Sequence, residues 1–376
     1  MLLNRKLERV LLLLLLLIFV LIKVIFIMYS QPLPDEAYYW LWSNKVALSY
    51  FDHPPLTAWV MALLVSYFDN NYFVISALPL LSLVIVMSIM IMWQKHMLRR
   101  FDYDLCLKSM ILFLALPIYT IFFSISFPDH LLIALLFASS FCLFLYFESD
   151  TKARNGIYFW YSAVLLFSFA LLTKYNAILF GLGALSYILY YKEKLRGPTY
   201  GHIVASIVII ILIQVPVLVW NFGNDFGSFN FHLSERFDQE KNFLTVFRNN
   251  IGFLLGVFLA FSPIFIFNLK NIFFLENYSS DVKDFIAMSK FVFIFSLGFC
   301  IILSFFTNVL YYWATPALVL LIPFLINILK SKLAQYIHIF YGVLISLILL
   351  INMSFYPISA FFGNVDRETA ILYGWE

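Results

Sequence analysis

Long uninterrupted apolar runs constrain this chain more than any other feature of its sequence. Examples are Val10–Ile22, Ile203–Val219 and Ile339–Ile351. Hydrophobic residues make up 63% of the 376 positions and charged residues only 12%, whereas a soluble domain is roughly half apolar and a quarter charged. A helix that spans a bilayer needs about 20 mostly apolar residues. The pattern predicts an all-α integral membrane protein and excludes a soluble domain.

The apolar runs predict about eleven transmembrane helices in one domain, residues 1–352, followed by a short outward-facing tail, residues 353–376. The run from Ile157 to Tyr190 would be about 51 Å long as one helix, and a hydrocarbon core is about 30 Å thick. We therefore expect it to break at Thr173–Asn176. The predicted spans cover approximately residues 10–28, 72–93, 107–123, 131–147, 157–173, 177–190, 203–220, 249–268, 288–306, 310–328 and 334–352.

Positive charge predicts the orientation of these spans. Most Lys and Arg residues fall in loops on one side, which is cytoplasmic by the positive-inside rule. The N-terminus is then cytoplasmic, and loops 29–71 and 221–248 face outward. The residues that set this orientation are Arg5, Lys6, Arg9, Lys95, Arg99, Arg100, Lys108, Lys152, Arg154, Lys192, Lys194, Arg196, Lys270, Lys283, Lys290, Lys330 and Lys332.

The first outer loop is predicted to contain two amphipathic helices that lie at the membrane interface. Asp35 and Glu36 open the first, where acidic side chains suit the positive end of a helix. Asp52 and His53 precede the second, which begins near Pro54 because proline fits a first helical turn. Aromatic residues in the first helix are expected at the level of the lipid headgroups. They are Tyr38, Tyr39, Trp40 and Trp42.

Each polar motif has a structural as well as a functional interpretation. Asp35 and Glu36 on their own are explained by helix capping, and Asp52 and His53 by a turn. Their presence in one loop, where a lipid headgroup would lie, favours a functional site. Asp129, at the mouth of a span, is equally typical of an acid that reaches out to the interface.

Basic residues on the outer side are candidates for phosphate binding. Lys174 lies in the predicted turn between two apolar helices, where it faces either an anion or lipid headgroups. Arg236 could bind a phosphate through two parallel hydrogen bonds, or form a surface pair with Glu235 that contributes little. Lys23, just inside the first span, is expected to extend toward the outer surface and is given no functional role.

Several of these segments, in this order, resemble bacterial polytopic glycosyltransferases of the GT-C class. The nearest families are the protein-mannosyltransferase-like enzymes and those that add aminoarabinose or galacturonic acid to lipid A or the lipopolysaccharide core. The resemblance extends over nearly the whole chain, and the two first-loop motifs are its most specific part. The segments that carry it are residues 35–40, 49–56, 128–129, 172–176, 220–221, 228–231, Arg236 and 312–317.

The resemblance implies transfer of a hexose or pentose from a polyprenyl-phosphate-linked donor. The expected acceptor is lipid A, core lipopolysaccharide or a protein, at the periplasmic face of the bacterial inner membrane. It implies a catalytic Asp35 with Glu36 beside it, and a second acidic position at Asp129. The aminoarabinose transferases have lysine where this chain has His53, which favours the galacturonosyl-type relatives. Relatives also carry a longer outer tail, so acceptor contacts from such a tail are expected to be absent.

The residues fit this chemistry. A carboxylate can deprotonate the attacking hydroxyl while the sugar develops oxocarbenium character. Lys174, Arg236 and His53 can hold the departing lipid phosphate. A divalent metal bound by Asp35, Glu36, Asp52 and His53 stays open, because the residue types suit one but their spacing does not require it. Neither a nucleotide donor nor a nucleic-acid partner is expected.

A transporter or flippase of envelope glycolipids is the alternative function. Transporters place polar groups near the bilayer midplane on broken helices, often in repeated halves. This chain has spans almost free of charge and gathers its ionisable residues on the outer face. That distribution favours surface chemistry, and a purely structural scaffold would not need the carboxylates.

The orientation is tested by thiol labelling in intact spheroplasts. Cysteines introduced at Asn44 and Asn224 should react with a membrane-impermeant reagent, because both positions are predicted to face outward. A cysteine at Asn155 should react only after lysis. The opposite labelling pattern would place the carboxylates in the cytoplasm.

Overall fold

The computed structural model describes residues 2–30, 32–68, 72–99, 101–149, 154–191, 198–233, 242–275 and 280–358, and all regular secondary structure within them is helical. This confirms the all-α prediction, including the two helices in the first loop. The helices are α1 Leu2–Tyr29, α2 Pro34–Asn44, α3 Leu56–Tyr67, α4 Tyr72–Leu98, α5 Tyr103–Leu114, α6 Pro117–Phe122, α7 Pro128–Glu148, α8 Arg154–Leu171, α9 Ile178–Tyr190, α10 Tyr200–Gly223, α11 Gly227–Leu233, α12 Phe243–Ala260, α13 Pro263–Asn268, α14 Ser280–Leu303, α15 Thr315–Val319, α16 Leu325–Ile328 and α17 Lys332–Ser354.

Within the described ranges, six helices are long and apolar enough to cross a bilayer: α1, α4, α7, α10, α14 and α17. Two further pairs of helices would each make one bent span, which gives eight. Helices α8 and α9 are apolar but shorter. The predicted count of eleven spans is therefore not confirmed.

Three predicted single spans are broken, and a proline lies at each break. The span predicted over 107–123 divides into α5 and α6 before Pro117. The span predicted over 249–268 bends by 91° before Pro263, and the span predicted over 310–328 bends by 70° near Pro323. Proline lacks the backbone donor and clashes with the preceding turn, so it starts a new helix rather than continuing one. Hydropathy alone does not show these bends.

Helix α7 lies at the centre of the bundle, between α4, α8 and α14. Trp93 of α4 is fully buried and packs against Phe137, Phe141 and Phe144 of α7 and Phe285 of α14. Large aromatic side chains contribute much of the contact area in such a core. The packing fixes α7, and α7 carries Asp129 at its first turn.

Helix α17 presents a face of small and polar residues to the break between α5 and α6. A Cβ added at Gly342 would clash with the backbone of Ala115, so the two backbones touch. One turn on each side, Nε2 of His338 donates to the Leu112 carbonyl while Nδ1 lies 2.9 Å from the Ser262 hydroxyl, and the Ser346 hydroxyl bonds to Thr120. Small residues allow such close approach between helices in membranes.

Helices α8 and α9 are joined by the predicted turn at residues 173–176 and then diverge. Phe167 packs onto Gly181 near this turn. Further along, α8 contacts α7 and α10, whereas α9 contacts α14. An apolar cavity of about 180 Å³ lies between the two arms, lined by residues that include Trp160 and Ile207. The turn is thus the apex of a splayed helix pair.

Helices α2 and α3 pack against each other at the end of the bundle that we call the loop end. Trp42 stacks on Tyr50 with ring centroids 4.1 Å apart. Tyr39 and Trp42 are 5% and 9% exposed, so these two side chains face the protein interior and not the surrounding lipid. They form an aromatic core beneath the loop, because a short helix without a span of its own is stabilised by burying its large side chains.

The contact at Gly342 predicts a specific loss of stability. Gly342→Ala should lower the free energy of unfolding by about 1–3 kcal/mol, the usual cost of overpacking, because backbone cannot move aside as a side chain can. Gly298→Ala in α14 is the control, since no atom lies within 4 Å of its Cβ position. Thermal unfolding in detergent compares the two, and equal melting temperatures would contradict the prediction.

Candidate active site

A buried ion pair lies at the loop end of the bundle. The Nζ atom of Lys174 donates to both carboxylate oxygens of Asp129, at 2.8 and 2.7 Å. Lys174 is 7% exposed and Asp129 1%. The ammonium group also lies 4.6 Å from the centre of the Tyr312 ring, a distance that suits a cation–π contact. The ion pair thereby joins the start of α7 to the α8–α9 turn, which lies 45 residues further along the chain.

Backbone contacts bring three segments together around this pair. The amide of Leu56, at the start of α3, donates to the carbonyl of Leu172 at 2.8 Å. The side chain of Asn176 donates to the carbonyl of Trp313 at 3.3 Å. The first loop, the α8–α9 turn and the segment before α15 therefore meet at Lys174.

Asp35 and Glu36 are neighbours in α2 but have different surroundings. Asp35 is exposed; partial desolvation raises the pKa of its carboxyl, and the charge of Lys174 offsets part of that rise. Glu36 is 2% exposed, and burial raises its pKa to about 7 although two backbone amides donate to it. Asp35 is thus the accessible carboxylate of the two.

The phenol of Tyr39 shows that three predicted acids converge. Burial raises its pKa well above the ordinary value, and the charges of Asp35, Asp52 and Asp129 raise it further. These carboxylates come from α2, the second loop motif and α7. The structure therefore brings together residues that sequence analysis could connect only through the resemblance.

Asp52 and His53 border the same region. The Tyr38 hydroxyl donates to Asp52 at 3.3 Å, and burial followed by the charge of Asp52 raises the Tyr38 pKa to about 12. The His53 ring lies 5.8 Å from the Tyr39 ring. His232 donates from Nε2 to the Asp52 carbonyl at 2.9 Å, which fixes the motif against α11. Trp40, the remaining aromatic residue of the motif, is half-buried.

Tyr175 joins the α8–α9 turn to α11. Its hydroxyl lies 2.9 Å from the Ser228 hydroxyl, and its ring packs edge-on against the His232 ring at 5.1 Å. Phe51 and Phe231 pack 5.0 Å apart beside this contact. The aromatic and polar residues of α11 therefore close one side of the site.

Sequence analysis missed two contributions to this region. The prediction that Lys23 extends to the surface is wrong: it is 3% exposed and donates to the Thr120 carbonyl and the Ser124 hydroxyl, both at 3.2 Å. Ser124, a polar residue in an apolar run, marks one of its partners in the sequence, whereas the Thr120 carbonyl belongs to the backbone and has no sequence signal. Tyr312 was noted only as part of a resembling segment, and its contact with Lys174 has no local sequence signal.

Some predictions fall outside the described residues, namely Arg236, the tail from residue 359 onward and, among the charges that predict the orientation, Arg100, Lys152, Lys192, Lys194 and Arg196. The metal hypothesis was tested against the donor groups that are described. Among the residues with described side chains, no three His, Cys, Asp or Glu lie close enough to hold a metal ion. Glu36 already accepts hydrogen bonds from two backbone amides, so the proposed ligand set does not fit a metal.

Comparison with solved structures identifies the fold. Two crystal structures of ArnT from Cupriavidus metallidurans match with a TM-score of 0.62 and 16% sequence identity. The match to the apo structure covers 85% of this chain, and the match to the structure bound to undecaprenyl phosphate covers 87%. The chain has the ArnT fold. It spans about three fifths of the ArnT chain, 59% and 61% in the two structures.

A family model described as dolichyl-phosphate-mannose-protein mannosyltransferase matches residues 52–220. This segment runs from Asp52 to the end of α10 and includes Asp129 and Lys174. No match was found among curated protein sequences. The predicted resemblance to GT-C membrane glycosyltransferases is confirmed by the family model and the fold together.

The Lys174–Asp129 pair predicts an unequal response to single and double substitution. Lys174→Met should lower the free energy of unfolding by about 3–5 kcal/mol, because Asp129 would be left buried without its cation. Lys174→Met combined with Asp129→Leu should recover most of this loss, since an apolar pair needs no counter-charge.

The exposed pair between Arg9 and Asp104, at 2.6 Å, supplies the control. Arg9→Met should leave the melting temperature essentially unchanged, because an exposed ion pair is screened by water and contributes little to stability. Thermal unfolding in detergent measures all three variants, and a loss in the double variant equal to that of Lys174→Met would contradict the prediction.

Proposed function

We propose that the protein is a glycosyltransferase that moves a sugar from a polyprenyl-phosphate-linked donor. The acceptor would be lipid A, core lipopolysaccharide or a protein at the periplasmic face of the bacterial inner membrane. The observation that carries the proposal is the convergence of Asp35 with the Lys174–Asp129 pair at the loop end of an ArnT fold. The binding of undecaprenyl phosphate by ArnT supports a lipid phosphate as the leaving group.

Asp35 is the proposed general base. It is exposed; partial desolvation raises the pKa of its carboxyl, and the charge of Lys174 offsets part of that rise. A raised pKa makes the carboxylate a better proton acceptor. The acceptor hydroxyl would lose its proton to Asp35 as its oxygen bonds to the anomeric carbon. The bond between that carbon and the phosphate oxygen breaks, and the polyprenyl phosphate leaves as an anion. The sugar develops oxocarbenium character between these events.

Lys174 is the proposed contact for the leaving phosphate. An ammonium group has three N–H donors. Two hydrogen bonds from Lys174 to the carboxylate of Asp129 orient the group. Within the described part of the chain, no third acceptor bonds to Nζ. A third donor aimed at the phosphate would stabilise charge that develops as the bond breaks. His53 and Arg236 are proposed as further phosphate contacts on the basis of the resemblance.

The resemblance implies catalytic positions at Glu36 and Asp129 as well as at Asp35. Their burial and their existing partners favour supporting roles, since neither presents an unengaged oxygen to a substrate. Asp129 would hold Lys174, and Glu36 would act on its neighbour Asp35. Proton acceptance is therefore proposed for Asp35 alone.

Complementation of a deletion strain tests this function. Mass spectrometry of lipid A, core and glycoproteins should show that the deletion removes one sugar mass and that the wild-type gene restores it. Asp35→Asn should lower restoration by about 10²–10⁴-fold, the usual contribution of a general base, at an unchanged protein level in the membrane.

Asp225→Asn is the matched control, because Asp225 is exposed in the segment before α11 and is not part of the proposed site. It should restore the sugar fully. Full restoration by Asp35→Asn would remove Asp35 from the role of base, and identical glycans in the deletion and wild-type strains would remove the proposed function.

A further inference from the structure

The segment between α6 and α7, residues Phe123–Phe127, is non-helical yet almost entirely inside the protein. Phe123, Ser124, Ile125 and Ser126 are between 0% and 5% exposed. Irregular backbone in a membrane protein needs partners from the protein itself, because no water satisfies its polar groups. We call this segment the α6–α7 linker.

Glu36 holds the linker from the loop end. Its Oε1 accepts from the backbone amide of Ser126 at 2.7 Å, and its Oε2 accepts from the amide of Leu33 at 3.0 Å. The first contact crosses 90 residues of sequence, and the second closes the first turn of α2. One buried carboxylate thus connects the helix of Asp35 to the linker.

Lys23 holds the linker from the membrane side. Its ammonium group donates to the Thr120 carbonyl near the end of α6 and to the Ser124 hydroxyl, both at 3.2 Å. No carboxylate pairs with it among the residues that the structure describes. A methionine or leucine would fill this position without the cost of burying a charge. What the lysine adds is a pair of charged hydrogen bonds to this segment.

The linker lies between α2, which carries Asp35, and α7, which carries Asp129. It leads directly into Pro128 and Asp129, and Asp129 orients Lys174. The linker also contacts Glu36, which is the residue next to Asp35. A shift of the linker would therefore change the separation between the carboxylate of Asp35 and the ammonium group of Lys174.

We propose that Glu36 and Lys23 are positioning residues that hold the α6–α7 linker from opposite sides and thereby fix Asp35 relative to Lys174. This inference rests on the proposed function. Neither residue touches the substrates. Their effect is on the geometry in which the acceptor proton and the leaving phosphate are handled, and small errors in such geometry lower rates strongly.

The test uses Glu36→Gln, which keeps one accepting oxygen, and Lys23→Met, which keeps the length of the side chain without its charge. In the complemented deletion strain, the initial rate of sugar addition per folded protein should fall roughly ten- to a hundredfold in each variant, as expected for the loss of a charged hydrogen bond. Binding of undecaprenyl phosphate to the purified variants, measured by isothermal titration, should stay within about threefold of wild type, because the phosphate contacts are intact.

Two features distinguish positioning from a general structural role. Lys23→Gln retains a donor and should recover part of the rate. The double variant Glu36→Gln/Lys23→Met should lose less than the product of the single losses, because both act through one linker. Glu8→Gln and Lys332→Met, at the opposite end of the bundle, are the controls and should leave the rate unchanged.

The outcomes separate this inference from the proposed function. Wild-type rates in the variants, multiplicative losses in the double variant, or parallel losses of rate and undecaprenyl phosphate binding would each overturn the positioning roles. If Glu36→Gln does not fold, Lys23→Met and Lys23→Gln still test the positioning role. If Lys23→Met does not fold, Glu36→Gln and Lys23→Gln test it. Failure of the proposed function appears differently, as a deletion strain that lacks no sugar.

Discussion

The ion pair between Lys174 and Asp129 connects the helical bundle to the loops that cover it. Removing two charges from water costs several kcal/mol for each ion, and their attraction repays this only with good geometry. Here the geometry is two contacts of 2.7 and 2.8 Å with an aromatic ring beneath the cation. Because Lys174 is in the α8–α9 turn and Asp129 opens the central helix, their contact joins this turn, on which the start of α3 rests, to the centre of the bundle.

Proline determines much of the remaining architecture. Breaks before Pro117 and Pro263 and near Pro323 turn three apolar runs into short helices joined at angles. The bend before Pro263 also places Ser262 at a positive φ of 68°, and His338 bonds to its hydroxyl. The breaks expose backbone groups that serine, threonine and histidine side chains satisfy. In a bilayer such irregular backbone is tolerated only where the protein surrounds it.

The sequence predicts the features that depend on local physical chemistry. Apolar runs give the spanning helices, and the length limit of a bilayer gives the break at residues 173–176. The acidic and proline residues of the first loop give α2 and α3. The polar motifs that resemble the GT-C class do lie at one end of the bundle, as the loop pattern predicts.

The remainder depends on contacts that have no local signal. Lys23 has the sequence context of a residue that reaches the interface, and only the position of α6 shows that it turns inward. Glu36 and Asp35 are adjacent acids in the sequence, and burial alone separates their roles. Tyr39 and Trp42 resemble interfacial residues until Tyr50 is known to lie against them. Each case depends on which segments lie close together in the fold, and hydropathy and residue spacing do not give that information.

The splayed arrangement of α8 and α9 gives the apex of this helix pair a mechanical property. One arm belongs to the group of helices around α7 and α10, and the other to the group around α14. Because the two arms pack against different helices of one core, the position of the short turn is set from both sides of that core at once. Lys174 occupies this turn, and its ammonium group is consequently held in place by the packing of α7, α10 and α14 together.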